Sequence, residues 1–465
     1  MPELNAYAKE RLTELNASNA HPQVIGLLGR MLAEGDDFEV FKVNAFRVAE
    51  EAHVPRNEAL RAFLYATRLG LFDLAYDVHC PSCRGIPNDF QRLAKLSGKS
   101  RCGGCELTYE VDFEQHVEVT FTVNPAVRPV PYADFKTRPF QALGELYSKF
   151  DRREHRTLPA LQLLVPGQKT TVEATLQAGD YQVYLPTGQG AMERGCRLTV
   201  AGLAEPGPQL LDLIFDERSS ANPGKAELRP GRITVSALGR QAQPDRLHVR
   251  PLQEETNWVS AAYVTLQQDF RDLFSGEFLA PDINFAVRSV TLMFTDLKSS
   301  TELYEELGDA KAYALVQEHF RILTNAIRRH EGGIVKTIGD AVMASFPDNL
   351  SGVKAAVEIQ RELARASGDL KRIQVKIGLH RGPTIAVTSN RALDFFGRTV
   401  NVAARVQNES RAGEVVLSKG VMADSRVPAY LAEQRLGPTE RQVNLKGIAG
   451  SVTISCFHPA PVASA

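Results

Sequence analysis

Apolar residues change their spacing along the 465-residue chain, and that change most constrains what it can fold into. In FKVNAFRVAEEAHVPRNEALRAFLYATRLG, Val43, Phe46 and Ala49, then Leu60, Phe63, Leu64 and Thr67, recur three and four residues apart, as on helices. Pro55 stands where a second helix begins and Gly70 where it ends. From about Asp112 to Leu252 the spacing drops to two. VEVTFTV, TTVEATLQAGDYQVYLP, CRLTVAG, QLLDLIF, RITVSALG and DRLHVRPL read as short strands between turns rich in proline and glycine. The second of these predicts an outgoing strand with Val172, Ala174 and Leu176 on one face, a turn near Gly179-Asp180, and a return through Tyr181, Val183 and Leu185. Such spacing predicts an antiparallel β-sandwich or barrel.

One core cannot serve patterns this different, and the length asks for several domains. The expected fold is multidomain α+β. It comprises a helical module at 1–77, a zinc ribbon at 78–111, a β-rich regulatory or scaffold domain at 112–256, a helical connector at 257–285, a last domain at 286–458 and a disordered tail at 459–465. In the last domain RSVTLMF reads as a buried strand and LKSST as the opening of a helix. EGGIVKTIGDAVMASF reads as two strands meeting at Gly339-Asp340, followed by the helical VKAAVEIQRELARA and the strand IQVKIGLHRGPTIAV. Strand–helix–strand–strand–helix–strand is the order of a ferredoxin-like βαββαβ domain.

Charge excludes some partners. With 54 Lys plus Arg against 55 Asp plus Glu, the net charge is −1, so no chain-wide basic field exists for nucleic acid or an anionic membrane. No stretch approaches the roughly 18 uninterrupted apolar residues of a membrane-spanning helix. The opening MPELNAYAKERLTELNASNA lacks the apolar core of a secretory signal. A soluble, cytoplasmic protein is expected. Arg56, Arg61 and Arg68 lie along the second helix and are read as solvated charges, not as a DNA-reading face.

Six cysteines are too few for a disulfide scaffold of this length. Four of them, Cys80, Cys83, Cys102 and Cys105, have the spacing C-x2-C-x18-C-x2-C of a four-thiolate structural zinc site. A redox dithiol or unconnected core cysteines are the alternatives. His79 is expected near that site or at the surface, not on the ion. Ser97-Gly98-Lys99-Ser100 resembles the end of a P-loop, but its leading glycine would fall at Leu93 and no apolar strand precedes it.

The chemistry concentrates in the last domain. A strand ending in Asp296 and a hairpin turn at Asp340 can bring two carboxylates to one sheet edge. Hard divalent cations require such oxygen donors, and paired ions for phosphoryl chemistry sit roughly 4 Å apart. Ser299, Ser300 and Thr301 follow at a helix N-terminus, where backbone N–H groups bind phosphate. By themselves two aspartates could equally be cap or turn residues.

Taken together, FTDLKSST, VKTIGDAVMASF and LDFFGRTVNVAAR resemble the catalytic domain of class III adenylate/guanylate cyclases, over about residues 286–458. The preceding GLFDLAYDVHCPSC, RCGGC and VDFEQHVEVTF resemble a region of uncharacterised function found ahead of some bacterial cyclases. The first resemblance implies conversion of a nucleoside triphosphate to a 3′,5′-cyclic nucleotide and pyrophosphate, with two Mg2+ (or Mn2+) ions per site. It puts the ions on Asp296, Asp340 and the backbone carbonyl of Leu297, and the purine on Lys336 and Asp394. Asn401 orients the ribose, Arg405 stabilises the transition state, and Lys446, with Ser300 and Thr301, holds phosphates. Lysine only donates and aspartate only accepts, which complements adenine and opposes guanine, so ATP is the expected substrate. The resemblance also implies a head-to-tail homodimer sharing its sites, regulated by an unidentified ligand or protein. A guanylate cyclase, or a nucleic-acid adaptor carrying a degenerate cyclase domain, are the other readings.

Overall fold

The computed structural model describes residues 4–37, 39–82, 85–103, 107–130, 160–186, 194–204, 207–252, 258–298, 300–448 and 450–459. They form two compact units: one of residues 1–89, 99–111 and 118–259, the other of residues 90–98, 112–117 and 260–465. No helix among the described residues is long and apolar enough to cross a membrane.

The first unit opens with helices α1 (Ala6–Asn16), α2 (Pro22–Glu34), α3 (Ala45–Ala52) and α4 (Arg56–Arg68). Asn44 caps α3, its side-chain oxygen accepting from the N–H groups of Phe46 and Arg47 at 2.8 and 3.3 Å. Val43 therefore falls outside the helix and forms an antiparallel bridge with Phe121. Pro55 caps α4. Buried Phe63 of α4 packs between Phe72 and Phe121, with ring centres 5.2 and 4.7 Å away. Burying such a ring contributes roughly 2–3 kcal/mol. The helical reading to residue 77 overshoots, because Phe72–Val78 is strand β1, its side chains buried on both faces or alternately. β1 lies between β2 (Asn88–Phe90) and β5 (Val117–Val123), so VEVTFTV joins this sheet. Strands β3 (Lys99–Cys102) and β4 (Leu107–Glu110) form a separate hairpin, and the SGKS segment runs into β3. His79 is buried, its Nε2 2.9 Å from Glu118 Oε2, so it is not a surface residue. Arg61 pairs with Glu58, but its side chain is only 13% exposed, so it is not the solvated charge that the sequence predicts.

Two further sheets enclose a common core. One orders β11 (Ala221–Asn222), β10 (Gln209–Phe215), β13 (Gly231–Gly239) and β7 (Lys169–Leu176). The other orders β12 (Lys225–Leu228), β9 (Cys196–Val200), β8 (Gly179–Tyr184), β14 (Asp245–Pro251) and β6 (Ala160–Leu164). The spacing predicts an antiparallel sandwich or barrel of short strands, and two features differ. β7 and β8 are not a hairpin: β7 pairs with β13 and β8 with β9 and β14, so the chain crosses between sheets at Gly179. Ala174 and Leu176 still meet Val183 and Leu185 in one core. The sheets are also not wholly antiparallel, since β10 pairs parallel with β13 and β9 with β12.

His248 of β14 is buried on the face of that strand opposite Leu247 and Val249, its ring centre 5.3 Å from that of Tyr184, and neither ring nitrogen has a hydrogen-bond partner among the described residues. Burial, aided by Arg246 and Arg250, holds its pKa down at about 3 against an ordinary 6.5. The unfolded chain therefore takes up a proton that the folded chain refuses, and stability falls as pH drops from about 6.5 toward 3. Between pH 7 and 4.5 this group alone should cost about 2 kcal/mol. His248→Leu should flatten that part of the dependence of urea midpoint on pH; an unchanged slope would exclude His248.

The second unit contains α5 (Ala261–Leu266), α6 (Gln268–Leu273), β15 (Phe285–Leu297), α7 (Ser300–Leu307), α8 (Asp309–Arg329), β16 (Gly333–Ile338), β17 (Ala341–Phe346) and α9 (Asn349–Arg365). After them come β18 (Val375–Ser389), β19 (Ala392–Phe396), α10 (Arg398–Asn408), β20 (Val415–Ser418), α11 (Lys419–Met422), α12 (Arg426–Glu433), β21 (Thr439–Val443) and β22 (Val452–Phe457). The sheet order is β16-β17-β15-β18-β20-β22-β21, with β19 paired on β18. Its first four strands follow the ferredoxin-like order expected from the alternation. α8 and α9 bury Leu323, Ile327, Val353 and Val357 in the same core as Phe346 and Leu379 of the sheet. α10 packs through Val406 onto Val416 and Ile454 in a separate cluster. Residues 290–294 of β15 are accordingly all buried, Val290, Leu292, Met293 and Phe294 with the polar Thr291 among them.

Candidate active site

Asp296 and Asp340 stand at the same end of two paired strands. β15 pairs antiparallel with β17 up to Thr295↔Val342, and the Val342 N–H donates to Thr295 Oγ1 at 3.2 Å. One further step of that register sets Asp296 against Ala341, next to Asp340. Gly339, at φ +65°, supplies the left-handed residue that lets a two-residue turn close β16 onto β17. Asp340 Oδ2 is buried and has no hydrogen-bond partner among the described residues. Asp296 Oδ2 lies 3.3 Å from Lys376 Nζ, its cross-strand neighbour on β18.

Such a donor set fits a hard divalent cation. It offers carboxylate oxygens only, with the Leu297 carbonyl one residue away, and a buried carboxylate oxygen left unpartnered is costly unless something positive meets it. No group of three or more acidic, histidine or cysteine side chains able to hold a metal occurs among the described residues. The candidate ion site thus rests on two carboxylates.

Lys336 of β16 and Asp394 of β19 meet directly: Nζ is 2.7 Å from Oδ2. A pure donor and a pure acceptor stand side by side, with the aspartate side chain mostly buried and the lysine half-exposed. Asn401 and Arg405 occupy one face of α10, four residues apart. That helix is pinned to β18 at Gly378, where a Cβ would stand 2.3 Å from the backbone of Gln407. The Arg405 guanidinium lies against Gly447, its Nη1 3.3 Å from where a Cβ there would stand. Exposed Lys446, in the β21–β22 connection, is therefore brought beside Arg405. α7 begins at Ser300, with Thr301 in its first turn. Ser299, Cys83 and Cys105 lie outside the described residues, while Cys80 and Cys102 are buried.

Three residues near these positions escaped the sequence reading. Lys376 does so because its place opposite Asp296 depends on strand register. His319 sits on the apolar stripe of α8, buried, with no hydrogen-bond partner for either ring nitrogen among the described residues. Burial holds its pKa down at about 4, with Asp340 pulling the other way. A histidine among Val316, Ile322 and Leu323 was the available signal. The third, Arg271 of α6, is half-buried with its guanidinium Nε and Nη2 buried, and donates through Nη1 to the Leu393 carbonyl at 3.1 Å.

Comparison with known proteins follows the two units. Residues 285–454 match the family model described as adenylate and guanylate cyclase catalytic domain. Over 163 residues the chain is 32% identical to an adenylate cyclase of Lachancea kluyveri, covering 30% of this chain and 9% of that protein. It is 25% identical over 186 residues to an adenylate cyclase of Anabaena cylindrica, covering 36% of each. This chain thus spans far less than two thirds of these relatives. Among solved structures it is similar to the monomeric adenylate cyclases of Trypanosoma brucei, at 23% identity and TM-score 0.35, covering 38% of this chain and 91% of that one. Residues 6–248, just over half of the chain, match the family of unknown function DUF5939. The chain therefore belongs to the DUF5939 family and carries, at residues 285–454, a class III adenylate/guanylate cyclase catalytic domain.

Proposed function

We propose that this protein is an adenylate cyclase, converting ATP to 3′,5′-cyclic AMP and pyrophosphate at sites shared between two copies of the chain. The observation that carries this reading is the 2.7 Å pairing of Lys336 with Asp394. Adenine offers an acceptor at N1 and a donor at its 6-amino group, and this pair offers the complementary donor and acceptor. Guanine reverses both. Asn401 would hold the ribose so that its 3′-oxygen lies in line with the α-phosphorus. Arg405 would meet the charge that grows on the α-phosphoryl oxygens, and Lys446 the terminal phosphates.

Asp296, Asp340 and the Leu297 carbonyl would hold Mg2+ or Mn2+. When bound, the ions supply polarisation of the 3′-hydroxyl and charge neutralisation on the triphosphate. Large apolar side chains left exposed near the purine pair, Ile338, Ile385 and Phe396 (the last 69% exposed), favour a second copy covering this face. Ile385 and Phe396 are direct cross-strand partners. The four cysteines of the ribbon pattern remain the donor set proposed for one structural Zn2+, and the β-rich strands the proposed regulatory or scaffolding part.

The test is to incubate the purified full chain with ATP or GTP and Mg2+ or Mn2+ and to quantify cyclic AMP and cyclic GMP. Cyclic AMP should dominate. Lys336→Glu should lower the ATP-over-GTP preference by roughly tenfold or more, since it places an acceptor where adenine needs a donor. Full preference retained in that variant would reject the purine assignment.

A further inference from the structure

Arg271 reaches the purine pair from behind. It projects from the connector helix α6 and its guanidinium is buried under β19, the strand that carries Asp394. Nη1 donates to the carbonyl of Leu393, the residue before Asp394, and the guanidinium carbon stands 5.9 Å from the centre of the Phe395 ring, the residue after it. Nε and Nη2 are buried and have no partner among the described residues. A buried cation with two unmade hydrogen bonds is costly, and a fold built only for stability would favour an apolar residue there. Burial depresses the Arg271 pKa to about 10, and Asp394 is the group opposing that shift. The guanidinium therefore stays charged at neutral pH.

The same helix holds the other half of the pair. Gln268 donates its backbone N–H to the Gly332 carbonyl at 3.0 Å and accepts from the Ile334 N–H through Oε1 at 2.7 Å, two residues before Lys336. One short helix thus meets both strands that carry the pair.

Without substrate, Lys336 and Asp394 satisfy each other. Adenine can be read only if that ion pair opens, with Lys336 turning to N1 and Asp394 to the 6-amino group. The opened carboxylate, its side chain 14% exposed, then faces a neutral donor. The Arg271 guanidinium, fixed through the Leu393 carbonyl beside it, still supplies an opposite charge to hold that carboxylate.

We infer that Arg271 is a positioning residue for base recognition, whose buried charge holds Asp394 in place while Lys336 engages the purine. This rests on the reading of Lys336 and Asp394 as the purine pair. It assigns a specificity role to the connector, outside the residues matched by the catalytic-domain family.

The experiment compares kcat/KM for ATP with that for purine riboside triphosphate, which lacks the 6-amino group that Asp394 would accept from. It uses the full chain and the variants Arg271→Met, Arg271→Gln and Arg271→Lys. Met and Gln should lower kcat/KM for ATP about tenfold, mainly through KM, while changing the value for the analogue less than about twofold. Gln can still donate to the Leu393 carbonyl, so its failure to rescue points to charge. Lys should hold ATP within about threefold of the unchanged protein. An equal fall for both substrates in Gln, or no fall for ATP, would overturn the inference. So would failure of both neutral variants to fold, which would make Arg271 a fold residue. Lys336→Glu, run alongside, separates the layers. If it loses ATP preference while the Arg271 variants do not, this inference alone fails; if it keeps that preference, the purine reading fails and this inference with it.

Discussion

An Asp340→Ala chain is expected to form cyclic nucleotide about a thousandfold more slowly than the unchanged protein while still pairing with a second copy. The size follows from removing one of only two carboxylates that would hold the ions, an interaction of several kcal/mol in such sites. The fold should not suffer. Asp340 Oδ2 is buried without a partner among the described residues, so losing that oxygen breaks no hydrogen bond to them and removes a desolvation cost. Gly339, not Asp340, carries the left-handed turn conformation. Thermal midpoint should hold or rise while activity disappears, a combination that a purely structural residue does not give. Initial rates, sedimentation and a melting curve decide it. Turnover above a tenth of the original would remove Asp340 from the reaction.

Mixing two inactive chains gives the second large effect. Asp296→Ala and Arg405→Ala should each be nearly inactive alone. If one copy supplies the carboxylates and the other supplies Lys336, Asp394, Asn401 and Arg405, a mixed pair contains one wholly intact site and one doubly damaged site. Random association makes half of the pairs mixed, so an equimolar mixture should recover roughly a quarter of the unmutated rate. Cyclic AMP formation should follow the fraction of mixed pairs as the ratio is varied. Proven mixed pairs without recovery would refute a shared site.

The last domain was legible because its signals are local. Alternation placed β15 to β18, Gly339-Asp340 marked their hairpin, and the four-residue spacing of Asn401 and Arg405 required only a helix. In the sandwich, alternation told which side chains face inward but not which strand lies alongside. Ala174 and Val183 share a core as expected, while their strands belong to different sheets. The strand Phe72–Val78 was missed because it follows helices after a short break and only part of it alternates. Lys376, His319 and Arg271 were invisible for a different reason. Their partners lie from about 20 to more than 120 residues away, and only register and packing bring them together. For the cysteine pattern, Cys83 and Cys105 lie outside the described residues.

Residues 90–98 and 112–117 belong to the same compact unit as residues 260–465. Phe113 stacks on Phe285 with ring centres 5.0 Å apart, Asp112 pairs with Arg288, and Glu277 accepts from the Leu93 N–H at 2.7 Å. A single breakpoint near residue 285 would break the first two of these contacts and bare the Phe285 ring. A recombination that exchanges everything before residue 285 by one crossover would thus part Phe285 and Arg288 from the residues they pack on, and only exchanges that keep both short segments with residues 260–465 preserve these contacts.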